Sequence, residues 1–299
     1  MKLAALDIGS NAARLLIYEY MGLFKKKPLL IKSTYLRLPI RLGADAFTLG
    51  YISDDCFKRF VEAIHIFKQI MDFYEVKQYV ACGTSALRSI NNSKEIIEAV
   101  KIKTDINIDI ISGIEEAELT YESHVAENLD KLYNYLYIDV GGGSTELGLY
   151  INHRLQYKES FELGTIRLLN NVVKPEYKEQ ILNKIKKETN FNKKTIAIGI
   201  GGNINKIYSL IKVAKNNFVS LNELKNLYQE LSKLSIKERM TKYMLKEDRA
   251  DVIVPALEIF IMVMKAANIS KIYIPKISIA EGIIYKLAQK ISVENKDEK

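Results

Sequence analysis

Short apolar runs alternate along the chain with longer segments whose apolar residues recur every three or four positions. Lys2 to Asp7, Ala13 to Tyr20 and Leu29 to Leu36 predict three successive strands. From Asp54 to about Phe73 the period changes. Phe57, Phe60, Val61, Ile64, Phe67 and Met71 fall on one stripe, so this is a helix whose aromatic residues are core. A strand at Gln78 to Cys82, a short helix, a helix to Ile102 opened by the polar Asn91, Asn92 and Ser93, and a strand at Ile106 to Ile111 follow. Another helix starts just after Ser112 and Gly113. The order then returns, with strands at Tyr135 to Asp139, Leu147 to Tyr150 and Leu155 to Phe161, helices around Ile166 to Asn171 and Glu176 to Thr189, and a strand at Thr195 to Ile200. Helices at Asn203 to Lys212, Leu221 to Lys233 and Glu247 to Ala267, a strand at Lys271 to Ile274 and a helix at Ala280 to Ile291 complete the pattern.

Three hairpin-connected strands followed by alternating helices and strands, twice over, predict an α/β protein of two domains, each a mixed sheet flanked by helices. A length of 299 residues with 48% hydrophobic residues suits two cores. The hinge is expected between Tyr121 and Tyr133. Domain I would then cover residues 1–124, completed by the C-terminal helix 279–294, domain II residues 125–278, and 295–299 a disordered tail. The 44 Lys and Arg against 36 Asp and Glu leave a formal charge of +8, which favours a polyanionic ligand without singling one out. Cys56 and Cys82 lack metal-ligand spacing and read as small buried hydrophobes, and His65, His124 and His153 show no zinc pattern. The longest apolar stretch, Val252 to Met264, contains Pro255 and Glu258, and the N-terminus is too short in apolar residues for a secretory signal. The expectation is a cytoplasmic protein with no membrane and no nucleic-acid partner; a homodimer is left open.

Chemistry concentrates at strand ends. Asp7, Ile8, Gly9, Ser10, Asn11 and Asp139, Val140, Gly141, Gly142, Gly143, Ser144, Thr145, Glu146 have the same layout: a carboxylate, then glycine, then hydroxyl or amide. Glycine lets the backbone point several N–H groups at one anion, and an aspartate can hold a hydrated cation that neutralises phosphate oxygens. Gly83, Thr84, Ser85, Ala86, Leu87, Arg88 ends another strand in the same manner, with Arg88 offering a planar, two-pronged donor. Ser112, Gly113, Ile114, Glu115, Glu116 places adjacent acids in the first turn of a helix. Such acids commonly serve the helix dipole, but a glutamate beyond the carboxyl end of a strand could also orient and deprotonate a water aimed at phosphorus. Gly199, Ile200, Gly201, Gly202, Asn203 and Gly164, Thr165, Ile166, Arg167 are further glycine-before-helix turns.

In this order the segments resemble the exopolyphosphatase and guanosine pentaphosphate phosphohydrolase (Ppx/GppA) family, down to Arg14 and Leu15 after the first loop and Arg249, Ala250, Asp251 late in the chain. The resemblance implies the fold of actin, the heat-shock chaperone ATPases and sugar kinases: two actin-like (ribonuclease H-like) domains, each a mixed five-stranded sheet, with a cleft between them. It implies that Glu116 activates the attacking water and Arg88 holds a phosphate. Asp139 and Glu146, with Asp7 assisting, would position Mg²⁺, while Ser10, Asn11, Gly142, Gly143, Ser144, Thr145, Gly201 and Gly202 would bind phosphates. Four positions depart from the family pattern: Ala12 for serine, Asn203 for threonine, Glu118 for arginine, and Ala280 for an arginine before the late glutamate.

The expected function is therefore Mg²⁺-assisted release of the terminal phosphate of inorganic polyphosphate. Hydrolysis of guanosine pentaphosphate would use the same residues and differ only beyond the terminal phosphates. A kinase on the same fold would need an adenosine pocket, for which Gly199 to Gly202 is thin. A binding protein that senses polyphosphate or guanosine tetraphosphate without turnover is the reading that the departures support.

Overall fold

The structure is a computed structural model that describes residues 1–24, 27–122, 130, 132–152, 154–189, 195–211, 216–275 and 277–297. His124, His153 and most of the expected hinge lie outside the described residues. The chain divides into two compact units, Met1–Ser123 with Ser278–Lys299, and His124–Ile277.

Unit 1 begins with β1 (Lys2–Ile8), β2 (Ala13–Phe24) and β3 (Lys27–Leu38), continues through α1 (Leu42–Thr48), α2 (Asp54–Phe73), β4 (Gln78–Gly83), α3 (Ser85–Arg88), α4 (Ser93–Thr104) and β5 (Asp109–Ile110), and reaches α5 (Gly113–Glu122). The sheet order is β3-β2-β1-β4-β5. β1 pairs antiparallel with β2 and parallel with β4, so the sheet is mixed. Because successive strand residues face opposite sides, β1 serves two cores. Ala4, Leu6 and Ile8 pack with Phe60, Ile64 and Phe67 of α2, on the stripe expected from the sequence. Leu3 and Ala5 face the other way, with Leu119 of α5 and the buried face of the C-terminal helix: Ile279, Ala280, Ile283, Ile284, Ala288 and Ile291. The strand expected over Ile106 to Ile111 is paired only at Asp109–Ile110.

Unit 2 repeats the plan with β6 (Asn134–Val140), β7 (Thr145–Ile151), β8 (Arg154–Phe161), α6 (Thr165–Leu169), α7 (Pro175–Glu188), β9 (Thr195–Ile200), α8 (Gly201–Leu210), β10 (Phe218–Ser220), α9 (Leu221–Ser232), α10 (Ile236–Tyr243), α11 (Glu247–Ala250), α12 (Ile253–Ala266) and β11 (Lys271–Tyr273). Its sheet runs β10-β11-β9-β6-β7-β8. This corrects the expectation of five strands in each sheet: β10 adds a sixth, antiparallel to β11. Three residues are too few to show a period, and Ser220 is at once the end of β10 and the N-cap of α9. α10, unforeseen, opens on a Ser235–Glu238 capping box. The chain then returns to unit 1 in α13 (Ile279–Asp297), which continues past residue 294, into the segment expected to be a disordered tail. Among the described residues no helix is long and apolar enough to cross a membrane.

Candidate functional site

In unit 1 the candidate residues gather where β1, β4 and β5 end. Asp7 is buried and lies opposite Arg14 in the β1–β2 register, and the Arg14 guanidinium donates to its Oδ2. Its Oδ1 is buried with no hydrogen-bond partner among the described residues. The hairpin turn after Asp7 closes through Gly9 N–H to the Ala12 carbonyl at 3.2 Å, and the carbonyls of Ser10 and Asn11 accept from Gly43 and Arg41 at 2.8 and 3.1 Å. These bonds fix the loop, in which Ser10 and Asn11 are both buried. Thr84, in contrast, commits its N–H and its hydroxyl to the Ile8 carbonyl, so it joins two strand ends instead of presenting a hydroxyl.

The adjacent acids of α5 have separate environments. Glu115 Oε2 accepts from the Ser112 N–H at 2.7 Å, and the Ser112 hydroxyl accepts from the Glu115 N–H at 3.2 Å. That is a reciprocal capping box, and these bonds hold the Glu115 carboxyl below its ordinary value. Glu116 points inward, is buried, and meets Arg88 Nη1 at 3.3 Å; the same nitrogen donates to the Ile111 carbonyl at 2.5 Å. Between Asp7 and Asp109 in register stands Cys82, whose thiol is pushed up to about 12 by burial first and then by the negative fields of Asp7, Asp109, Glu116 and Glu115.

In unit 2 Asp139 and Glu146 are opposite each other across the β6–β7 hairpin, so both project from the same face of the sheet, and both are buried. Glu146 Oε1 accepts from the Ser160 hydroxyl at 2.8 Å. Paired carboxylates facing one another repel, and a divalent cation offsets that repulsion. Mg²⁺ commonly takes only one or two carboxylates and keeps its other positions for water and phosphate oxygens, so this pair fits it. No group of three or more acidic, histidine or cysteine side chains suited to a metal occurs among the described residues. Asp7, expected to assist, belongs to unit 1 and gives one oxygen to Arg14.

The glycine turn between the two acids is braced from behind. Gly141 N–H donates to the Ser144 carbonyl at 2.9 Å, Thr165 and Ile166 N–H donate to the carbonyls of Gly141 and Gly142, and Arg167 Nε donates to the Gly143 carbonyl at 2.8 Å. Arg167 also meets Glu162 at 3.5 Å. A Cβ on Gly164 would stand 2.3 Å from the Gly142 carbonyl oxygen, which explains the glycine there. Thr145, expected among the phosphate ligands, is buried and donates its hydroxyl to the Leu163 carbonyl. Gly201 likewise serves the fold in another way. Its N–H donates to the Ile277 carbonyl, its φ is +89°, and a Cβ would lie 2.4 Å from Asp139 Oδ1, so it makes room for the Asp139 carboxylate. Gly202 follows in the first turn of α8, and Ser144 is buried at the end of the glycine turn.

The sequence model of the Ppx/GppA phosphatase family matches residues 34–291. The chain belongs to that family. It is 31% identical over 170 residues to the bifunctional 3-dehydroquinate synthase/phosphatase of Fusobacterium nucleatum, an alignment covering 55% of this chain and 25% of the relative. With the guanosine-5'-triphosphate,3'-diphosphate pyrophosphatase of Vibrio cholerae it shares 24% identity over 313 residues, covering 98% of this chain and 60% of the relative. The chain thus spans less than two thirds of the length of both. The crystal structure of an exopolyphosphatase from Cytophaga hutchinsonii superposes with a TM-score of 0.82 at 24% identity, covering 97% of this chain and 98% of that one.

Against the Ppx/GppA pattern the four departures separate. Ala280 is fully buried in the α13 core, so an arginine's charge is lost from a position that here packs against the sheet. Asn203 bridges two groups, its amide donating to the Val140 carbonyl at 2.7 Å and its oxygen accepting from Arg249 at 3.2 Å. Ala12 is fully buried in the first turn, and Glu118 is exposed on α5. Residue-type reasoning assigned no role to Arg14, Ser160 or Arg249. The first two follow from hairpin register, since Arg14 faces Asp7 and Ser160 faces Glu146; Arg249 is 46 residues from its partner and leaves no local signal.

Proposed function

We propose that the chain is a phosphohydrolase that releases the terminal phosphate of inorganic polyphosphate. The observation that carries the reading is the division between the two acids of α5. Glu115 is held in the helix cap, whereas Glu116 is buried and faces Arg88. A carboxylate beside a guanidinium that has capacity for further hydrogen bonds suits a water that must be oriented toward a phosphoryl group held by that same arginine. Arg88 would bind the phosphoryl oxygens, and Glu116 would orient the water and take its proton. In unit 2 the braced turn at Gly142, Gly143 and Ser144 would bind phosphate, and Asp139 and Glu146 would hold Mg²⁺. The metal, when bound, would supply charge neutralisation at phosphate oxygens. Ser10 and Asn11 would add side-chain contacts.

The relatives named for guanosine and for polyphosphate chemistry support either substrate, and the site residues do not distinguish them. Release from guanosine pentaphosphate is the second reading. Two buried free thiols agree with a reducing, cytoplasmic setting. The test is a phosphate-release assay with Mg²⁺ on both substrates, comparing the native chain with Glu116→Gln. The variant should lose about 10²- to 10⁴-fold in turnover while retaining binding. Undiminished turnover in Glu116→Gln would remove it as the base, and tight polyphosphate binding without release by the native chain would make this a sensor.

A further inference from the structure

We propose that unit 2 carries a second site, for an amphipathic organic anion with a carboxylate head and an unbranched alkyl body, in the groove formed by α7, α9 and α12. Its cavity volume is about 680 Å³, inside the ~300–1,000 Å³ range of small-ligand sites. Ile261 and Met262 of α12, Leu182 of α7 and Tyr228 of α9 line it. The unbranched methionine can shift to follow a flexible chain.

The rim is cationic. Each of the three helices contributes one lysine: Lys186 from α7, Lys225 from α9 and Lys265 from α12. None of these has a carboxylate partner among the described residues. The acid that lines the groove, Glu258, is bound by Lys178 at 3.1 Å. This ion pair joins α7 and α12 at one level, and Lys186 and Lys265 stand about two turns further along their helices. Along α7 and α12 alike, the ion-paired residue and the lysine are thus separated by apolar side chains, Leu182 on α7 and Ile261 and Met262 on α12.

That layout matches a ligand that is apolar along its body and anionic at one end. Polyphosphate, charged along its whole length, has no use for the apolar lining. An acidic amphipathic helix needs cations along both flanks, and here Lys178 is already neutralised by Glu258. The site shares no residue with the proposed hydrolytic machinery.

Calorimetric titration of the 299-residue chain with dodecanoate, below its micelle concentration, tests the proposal. Saturable one-to-one binding is expected, about tenfold or more tighter than for dodecyltrimethylammonium, which has the same tail and opposite charge. Lys186→Glu/Lys265→Glu should weaken dodecanoate binding by about tenfold or more with circular dichroism and Tm unchanged. Should that pair of changes disturb folding, Lys225→Glu alone is expected to weaken binding in the same direction. Equal binding of the two surfactants, unsaturable uptake, or full affinity in a folded reversal variant would overturn the proposal. Binding of an acidic amphipathic peptide in place of dodecanoate would overturn the ligand class.

Discussion

Glu115 and Glu116 are chemically alike and adjacent, yet one end of a helix gives them different work. Ser112 and Glu115 are three residues apart, the spacing of a capping box, and the structure closes that box. That leaves Glu116 for chemistry, but its burial against Arg88, 28 residues away, emerges only from packing. Glu115→Gln should therefore preserve turnover and lower stability modestly, because the group is exposed and screened by solvent. Its folded pKa lies below the ordinary 4.5. A depressed carboxylate contributes stability that is complete above its unfolded value and is lost as pH falls through the folded one. Thermal melts should show the deficit of Glu115→Gln at neutral pH and its progressive disappearance below pH 4.5. Cys82 gives the opposite sign. Its thiol is raised to about 12 in the folded chain, so the unfolded form ionises first and native stability should fall as pH rises above the ordinary value of 9.0. Replacing Cys82 by Ala should reduce that alkaline loss in urea titrations.

At the scale of elements, the glycines mark where the backbone meets a carboxylate or another backbone. Gly201 combines a positive φ with a missing Cβ beside Asp139, so Gly201→Ala faces both strain and a clash. It should cost at least about 1 kcal/mol, measured by urea unfolding, and should weaken any Mg²⁺-dependent rise in Tm by displacing the Asp139 carboxylate. The glycine cluster was visible in the sequence, but its purpose was not. Glycine run and strand end suggested phosphate, whereas φ and the Ile277 bond assign Gly201 to support of the acid. α10 shows the converse. Ser235 and Glu238 announce its start at capping-box spacing, but no residue of this helix is buried, so the apolar periodicity that reveals α12 is missing. Ser235→Ala should cost about 0.5–2 kcal/mol in the same unfolding measurement.

Over the whole molecule, the first sheet has a core on each face, and one of these cores depends on residues nearly the full chain length away. Ile279, Ile283 and Ile284 of α13 cover Leu3 and Ala5, and Gly282 permits contact so close that a Cβ would lie 2.0 Å from the Leu119 carbonyl oxygen. Removing residues from Ile279 onward would expose that face. The shortened chain should be insoluble or, if recovered, should lack cooperative unfolding of unit 1 in hydrogen exchange, whereas unit 2, whose core contains no α13 residue, should retain protection. The proposed metal belongs to this scale as well, since binding to the native state alone raises stability by mass action. Mg²⁺ with phosphate should raise Tm for the native chain, and Asp139→Asn should reduce the rise.

The sequence by itself determined the duplicated order of strands and helices, the buried stripe of α2, the glycine-and-acid turns and the family to which they belong. These are written in local periods and spacings, which a chain carries whether or not it is folded. Tertiary structure decided which of two neighbouring glutamates faces an arginine, which glycine yields space to Asp139, and that a helix at the far end of the chain closes the first core. Such choices depend on side chains brought together from distant positions, where burial, register and excluded volume act, and no local pattern records them.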